Sequence, residues 1–160
     1  MDSVILASEH IVKAMKAGNK LLVFGNGGSA AQAQHLCAEF VGHEPPLAAI
    51  SLTTDTSAIT AIGNDLGFTF IFEQQIRALC RKGDVVLGIS TSGKSINVIR
   101  AITMAAKLGA YTIALTGWQS NPLKQVATLS IRAGSRNTQR IQDEHSVICH
   151  RLMELVFRGF

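Results

Sequence analysis

At 160 residues, the chain has room for one domain on a single core and not for two. Hydrophobic residues make up 47% and charged residues only 16%, against a usual charged fraction of about 25%, which excludes intrinsic disorder. The formal net charge of +4 contains no basic run longer than Arg81-Lys82, so a small anionic substrate is expected and a nucleic-acid surface is not.

No apolar run approaches the roughly 20 residues needed to span a bilayer, so no membrane segment is expected. So little charge also implies that other copies of the chain cover part of the surface, and a homo-oligomer is expected. The cysteines (Cys37, Cys80 and Cys149) are odd in number and form no CxxC pair, and no signal peptide precedes them. They read as reduced thiols of a cytoplasmic protein.

Residues 3–18 carry apolar positions at helical spacing and stop at Gly18-Asn19. Lys20–Phe24 reads as a buried strand, and the turn Gly25-Asn26-Gly27-Gly28-Ser29 opens an Ala-rich helix to about Val41. A turn over Gly42–Pro46 leads to a strand over Leu47–Leu52. A helix over 55–63 follows, then a loop over Gly63–Gly67 and a helix over Phe70–Arg81. Asp84–Ile89 is the next strand, running into Ser90-Thr91-Ser92-Gly93-Lys94-Ser95 and a helix that ends near Gly109. Tyr111–Thr116 is a strand, 120–126 a short helix, Thr128–Ile131 a short strand, and a last helix runs to about Phe157. Strands alternating with helices give βαβ units, and the predicted fold is a three-layer α/β/α doubly wound domain with a flavodoxin-like parallel sheet.

In such sheets ligands bind beyond the carboxyl ends of the strands, and two of these turns suit an anion. GNGGSA (25–30) offers backbone N–H groups at a helix N-terminus. ISTSGKS (89–95) sets four hydroxyls, Ser90, Thr91, Ser92 and Ser95, at a helix start, more than capping needs. The stretch Gly88–Ser95 also matches GxxxxGK[ST]. Nucleotide hydrolysis needs an Asp closing a neighbouring strand to hold magnesium, and the following strand ends Ala114-Leu115-Thr116 without one. Phosphate binding is therefore expected and nucleotide hydrolysis is not. His35 and Glu39, four apart on one helix, project from one face, a spacing open to a metal pair, an acid–base couple or a plain surface contact. His145 and Cys149 are also four apart, and there a structural role is the expectation.

Together these stretches resemble the phosphoheptose isomerase family of sugar isomerase (SIS) domain proteins. The resemblance rests on GNGGSAAQAQHLCAEFVG (25–42), LTTDTSAITAIGNDLGF (52–68), GDVVLGISTSGKS (83–95), IALTG (113–117) and RIQDEHSVICH (140–150), in the family's order. It implies isomerisation of sedoheptulose 7-phosphate to D-glycero-D-manno-heptose 7-phosphate through an enediol. Carried over by position, Asn26, Gly27, Gly28, Asn64 and Asp65 line the sugar, and Ser90, Thr91, Ser92 and Ser95 hold the phosphate. His35, Glu39, Gln142 and His150 match a zinc site with one zinc per subunit, Glu39 and His150 match the proton-shuttling pair, and Glu39 and Gln142 also contact substrate. The family's tetramers imply a homotetramer.

Gln142 and His150 are eight residues apart, about 12 Å of straight helix. One metal therefore requires either that Gln142 lies at the helix start with its chain bending inward, or that neighbouring subunits share the site. Relative to the family, the sequence begins about one helix late and Gly42–Pro46 is several residues shorter. Lys94 replaces a common Asn, and Gln139 stands where some members have Asp. The competing expectation is a non-catalytic SIS protein that binds a sugar phosphate or a replication-initiation partner, a branch without the carboxylate at position 39.

Overall fold

Five apolar stretches pair into one parallel sheet in the computed structural model, which describes residues 2–160. The strands are β1 (Leu21–Gly25), β2 (Ala49–Ser51), β3 (Val85–Ser90), β4 (Tyr111–Thr116) and β5 (Leu129–Arg132), in the spatial order β2-β1-β3-β4-β5. Side chains alternate across the sheet. Leu21, Val23, Val85, Leu87, Ile89, Ile113 and Leu115 enter one apolar cluster, whereas Leu22, Phe24, Val86 and Ala114 enter the other. Both faces are covered, which explains why these strands read as unbroken apolar runs.

The first layer holds α1 (Ser3–Lys16), α2 (Gly28–Gly42) and α7 (Thr138–Phe157), with α7 packed against both of the others. The second holds α3 (Thr56–Asp65), α4 (Ile71–Leu79), α5 (Ile96–Lys107) and the short α6 (Pro122–Val126). At the amino edge of β3, buried Asp84 accepts from the Lys20 ammonium at 2.6 Å and from the backbone N–H groups of Lys20 and Arg81. A charge so placed is tolerated because both carboxylate oxygens accept hydrogen bonds and one of them meets an ammonium.

Most boundaries fall within one or two residues of expectation, and three departures bear on the architecture. The strand predicted over 47–52 is confined to Ala49–Ser51. Gly63, Asn64 and Asp65 form the last turn of α3 rather than a loop; the helix stops at Gly67, whose φ of +100° no side-chain-bearing residue adopts readily. The helix expected from Phe70 begins as a 3-10 turn over Phe68–Phe70 and ends at Leu79. No helix among the described residues is long and apolar enough to cross a membrane.

Candidate functional site

The chain reverses its direction of winding between β1 and β3, and this strand order puts the ligand crevice at their carboxyl ends. Both anion turns lie there, because Gly25 pairs with Ile89 in register. The helices leaving these turns differ from most of the others at their amino ends. Asp2, Asp55, Asn121 and Asn137 cap α1, α3, α6 and α7 through their side chains. By contrast, α2 and α5 have no side-chain cap, and neither does α4, which continues from the 3-10 turn. Ser29 and Ala30 N–H donate to the Asn26 and Gly27 carbonyls and Val98 N–H to the Ser95 carbonyl, which leaves the N–H groups of Gly28 in α2 and of Ile96 and Asn97 in α5 open to a ligand, at the positive end of each helix dipole.

In the second turn, Ser90 is buried and its hydroxyl accepts from Gly93 N–H at 3.1 Å while meeting Ser95 Oγ at 3.1 Å. Ser92 Oγ accepts from Lys94 N–H at 3.2 Å. These bonds shape the turn and explain why its N-cap serine does not cap. Beside it lies a cleft of about 140 Å³ lined by Thr91, Ser92, Lys94, Trp118, Asn121 and Arg136, so two cationic side chains border the hydroxyls. The strands flanking β3 end at Gly25 and Thr116, neither of them an acid, and Asp55 is occupied in capping α3. The geometry thus supports phosphate binding without the magnesium-holding carboxylate of nucleotide hydrolases.

In the first turn, Gly27 has φ +56° at the entry to α2. A Cβ on Gly28 would run into the Gln142 carboxamide, so glycine here lets that side chain lie against the turn. The Asn26 side chain does not point freely at a ligand. Its Nδ2 donates to Asn97 Oδ1 at 2.9 Å, and Asn97 Nδ2 donates back to Asn26 Oδ1 at 3.0 Å. Asn97 was not foreseen; a contact between residues 71 apart has no periodic signature. Gln32 was also missed: its Nε2 donates to the Gln142 carbonyl at 2.6 Å and to Ser146 Oγ at 3.0 Å, tying α2 to α7.

Contacts of Gly28 with Gln142, Gln32 with Ser146, and His35 with His150 show that α2 and α7 run parallel. His35 Nε2 lies 3.2 Å from His150 Nε2, with the rings edge-on, and 3.7 Å from Glu39 Oε1. The predicted pair of Glu39 and His150 thus gathers around His35. The His35 and Glu39 side chains are 57% and 40% exposed, so the cluster lies on the outer face of the α2/α7 layer.

Gln142 does not join the cluster. It sits in the second turn of an unbroken α7, against Gly28, about 10 Å up α2 from His35. The inward-bending chain offered as one route to a single-subunit metal site is not what forms. Asn64 and Asp65 are exposed and bonded to each other at 2.8 Å rather than to either turn.

For zinc the donor set fits in part. Two imidazole nitrogens on one zinc with bonds of about 2.0–2.1 Å stand about 3.3–3.4 Å apart at tetrahedral angles, close to the 3.2 Å between His35 and His150. Among the described residues, no three His, Cys, Asp or Glu groups form a metal cluster. His145 and Cys149 play a different part. Both are buried in the fold, desolvation lowers the His145 imidazole below its ordinary value, and burial pushes the Cys149 thiol up to about 12. Burial, with Cys149 nearby, likewise pushes Cys37 up to about 12, and all three cysteines are free.

Residues 1–117 match the SIS domain family model. The chain is 55% identical to the phosphoheptose isomerase of Aquifex aeolicus over 91% of its own length and 78% of that relative. It is 46% identical to a probable phosphoheptose isomerase of Thermoplasma acidophilum, covering all of this chain and 90% of that one. The structure of phosphoheptose isomerase from Neisseria gonorrhoeae superposes with a TM-score of 0.94 at 42% identity, over 98% of this chain and 85% of that chain. Fold, anion turns and overall identity agree: the chain belongs to the phosphoheptose isomerase family of SIS-domain proteins.

Proposed function

We propose that the chain isomerises sedoheptulose 7-phosphate to D-glycero-D-manno-heptose 7-phosphate. The observation that carries this reading is the meeting of Glu39 and His150 around His35, from helices far apart in sequence. The open N–H groups of α5 and the hydroxyls of Thr91, Ser92 and Ser95 receive the phosphate, with Ser90 ordering the turn. Lys94 and Arg136 supply charge beside it. Asn26, Gly27, Gly28, Asn64 and Asp65 are assigned to the sugar.

Glu39 takes a proton from C1 of the ketose while His150 gives one to the C2 oxygen, forming the enediol. His150 then takes the proton from the C1 oxygen as Glu39 returns one to C2, which leaves an aldose and both groups in their starting states. Zinc is part of the reading: His35 and His150 would hold it, with Glu39 and Gln142 as the further ligands the family resemblance implies. When bound, it supplies positive charge that polarises the substrate's carbonyl oxygen.

In one chain the phosphate turns and the Glu39–His150 cluster do not border the same cleft. His35 lines a shallow hollow with Ala31, Gln32, Ser146 and Cys149, separate from the cleft at Thr91 and Ser92. The reading is therefore a homo-oligomer, a tetramer as in the family, in which one copy's cluster completes another's crevice and Gln142 comes from a different copy than His150. A cytoplasmic location accords with three free, buried thiols.

Incubation with sedoheptulose 7-phosphate, followed by NMR, is expected to show the aldose forming, and Glu39→Gln is expected to abolish it. Turnover that survives Glu39→Gln removes Glu39 from the chemistry. Absence of aldose with the unaltered protein favours the non-catalytic sugar-phosphate binder instead.

A further inference from the structure

Asn97 lies on the second residue of α5, with a side chain almost wholly buried and only 4% of the residue exposed. Buried carboxamides at such a position normally bond to the local backbone. This one bonds across the crevice to Asn26, through two reciprocal amide contacts of 2.9 and 3.0 Å. The pair is the side-chain bridge between the turn after β1 and the start of the helix after β3, the two segments whose N–H groups open into the crevice.

A carboxamide carries two N–H donors and two acceptor lone pairs. The pair uses one donor and one lone pair from each partner. Asn97 is closed to solvent, while Asn26 is only half-buried, so Asn26 keeps one N–H and one lone pair on its open side. Turning over either amide alone would set oxygen against oxygen and nitrogen against nitrogen. Asn26 is thereby held in one rotamer before any ligand arrives, and the ordering of its side chain is already complete in the free protein.

We infer that Asn97 is a positioning residue: it fixes the Asn26 carboxamide toward the sugar and does not itself touch substrate. This rests on the reading above that a sugar phosphate occupies the crevice and that Asn26 lines it. Phosphate capture is the task of the Thr91–Ser95 turn, so the effect of Asn97 belongs to the sugar portion alone.

The test uses Asn97→Ala in the unaltered and Asn26→Ala backgrounds, with two readouts. Ala keeps the helix propensity of the position. Kinetics with sedoheptulose 7-phosphate are expected to show kcat/KM falling about tenfold for N97A alone, the worth of roughly one hydrogen bond. In the N26A background, N97A is expected to add less than about twofold. Calorimetric titration supplies the second readout in a Glu39→Gln background, where binding is measured without turnover. There N97A weakens sedoheptulose 7-phosphate by a similar factor and leaves inorganic phosphate unchanged.

Equal losses in both backgrounds, or a parallel loss of inorganic phosphate, would mean that Asn97 merely supports α5 and would overturn the inference, as would no loss at all. If no aldose forms, the isomerase reading fails, and titration still decides the role of the pair. Should N97A not fold, Asn97→Ser is taken through the same comparison.

Discussion

His145 has no exposed surface and both of its ring nitrogens lack a side-chain partner. Desolvation holds its folded-state pKa below the ordinary value, against a smaller opposing pull from the Thr116 backbone and Glu144. As pH falls below about 6.5, the unfolded chain takes up a proton that the folded chain resists. Titration of His145 therefore leaves stability unchanged at neutral pH and lowers it progressively in acid. Urea unfolding of the unaltered protein and of His145→Leu between pH 7.5 and 5 is expected to show a shallower acid decline in the variant. Parallel curves would assign the acid sensitivity elsewhere. Asn26 and Asn97 show where reading the sequence stops at this scale. Asn26 stood out because a glycine turn after a strand advertises a ligand, whereas its partner is one asparagine in a helix start and is identified only by the contact itself.

Between elements, α4 and α5 are joined by a buried carboxylate. Glu73 accepts from Arg77 at 2.8 Å within its own helix and pairs with Arg100 of α5 at 2.7 Å; Arg100 also stacks on Phe70, 4.3 Å from the ring centre. Burial pushes the Glu73 carboxyl up, but the two guanidiniums outweigh it and hold it below the ordinary carboxylate range. The pair's stabilisation is thus present at neutral pH and lost as pH falls through that lowered value. Arg100→Ala is expected to cost about 2 kcal/mol in chemical denaturation at pH 7, because Glu73 keeps Arg77 as a partner. A cost under about 0.5 kcal/mol would place Arg100 among ordinary surface ion pairs. A second element-level prediction concerns Gly28→Ala: its methyl displaces Gln142, and lost isomerase activity with a well-folded protein is the expected result of activity assay and circular dichroism.

Boundaries at this scale were legible where apolar runs and glycine stops coincide, as at Leu21–Gly25 and Tyr111–Thr116. They failed at Gly63-Asn64-Asp65, whose composition spells a loop. Ile59 and Ile62 pack onto the second apolar cluster, and the helix continues until Gly67 ends it. Packing there overrides the roughly 1 kcal/mol that glycine costs inside a helix.

For the whole molecule, the order of strands decides which turns become neighbours, and the sequence shows the turns but not their adjacency. Parallel α2 and α7 likewise explain why Glu39 and His150 meet while Gln142 does not, a result the eight-residue spacing constrained without resolving. If separate copies supply Gln142 and His150, mixing inactive Gln142→Ala with inactive His150→Ala subunits under exchange conditions restores part of the activity, up to about a quarter per site from random pairing. No recovery, with subunit exchange verified, would return both residues to one chain. The lysine that completes the phosphate-loop pattern is expected to confer no nucleotide hydrolysis, since both strands beside β3 end without an acid. Release of phosphate from ATP above background would contradict this.

Cys149, Leu152 and Val156 of α7 fill the same apolar cluster as Val4, Ala7 and Ile11 of α1. α7 thus closes a layer that α1, synthesised well before it, helps to build. Until it emerges, a greasy face lies bare on the nascent chain, and the His150 imidazole is not yet in place beside His35. Premature termination before Thr138 would consequently leave an aggregation-prone fragment, rather than a weakened catalyst, for the cell's quality control to clear.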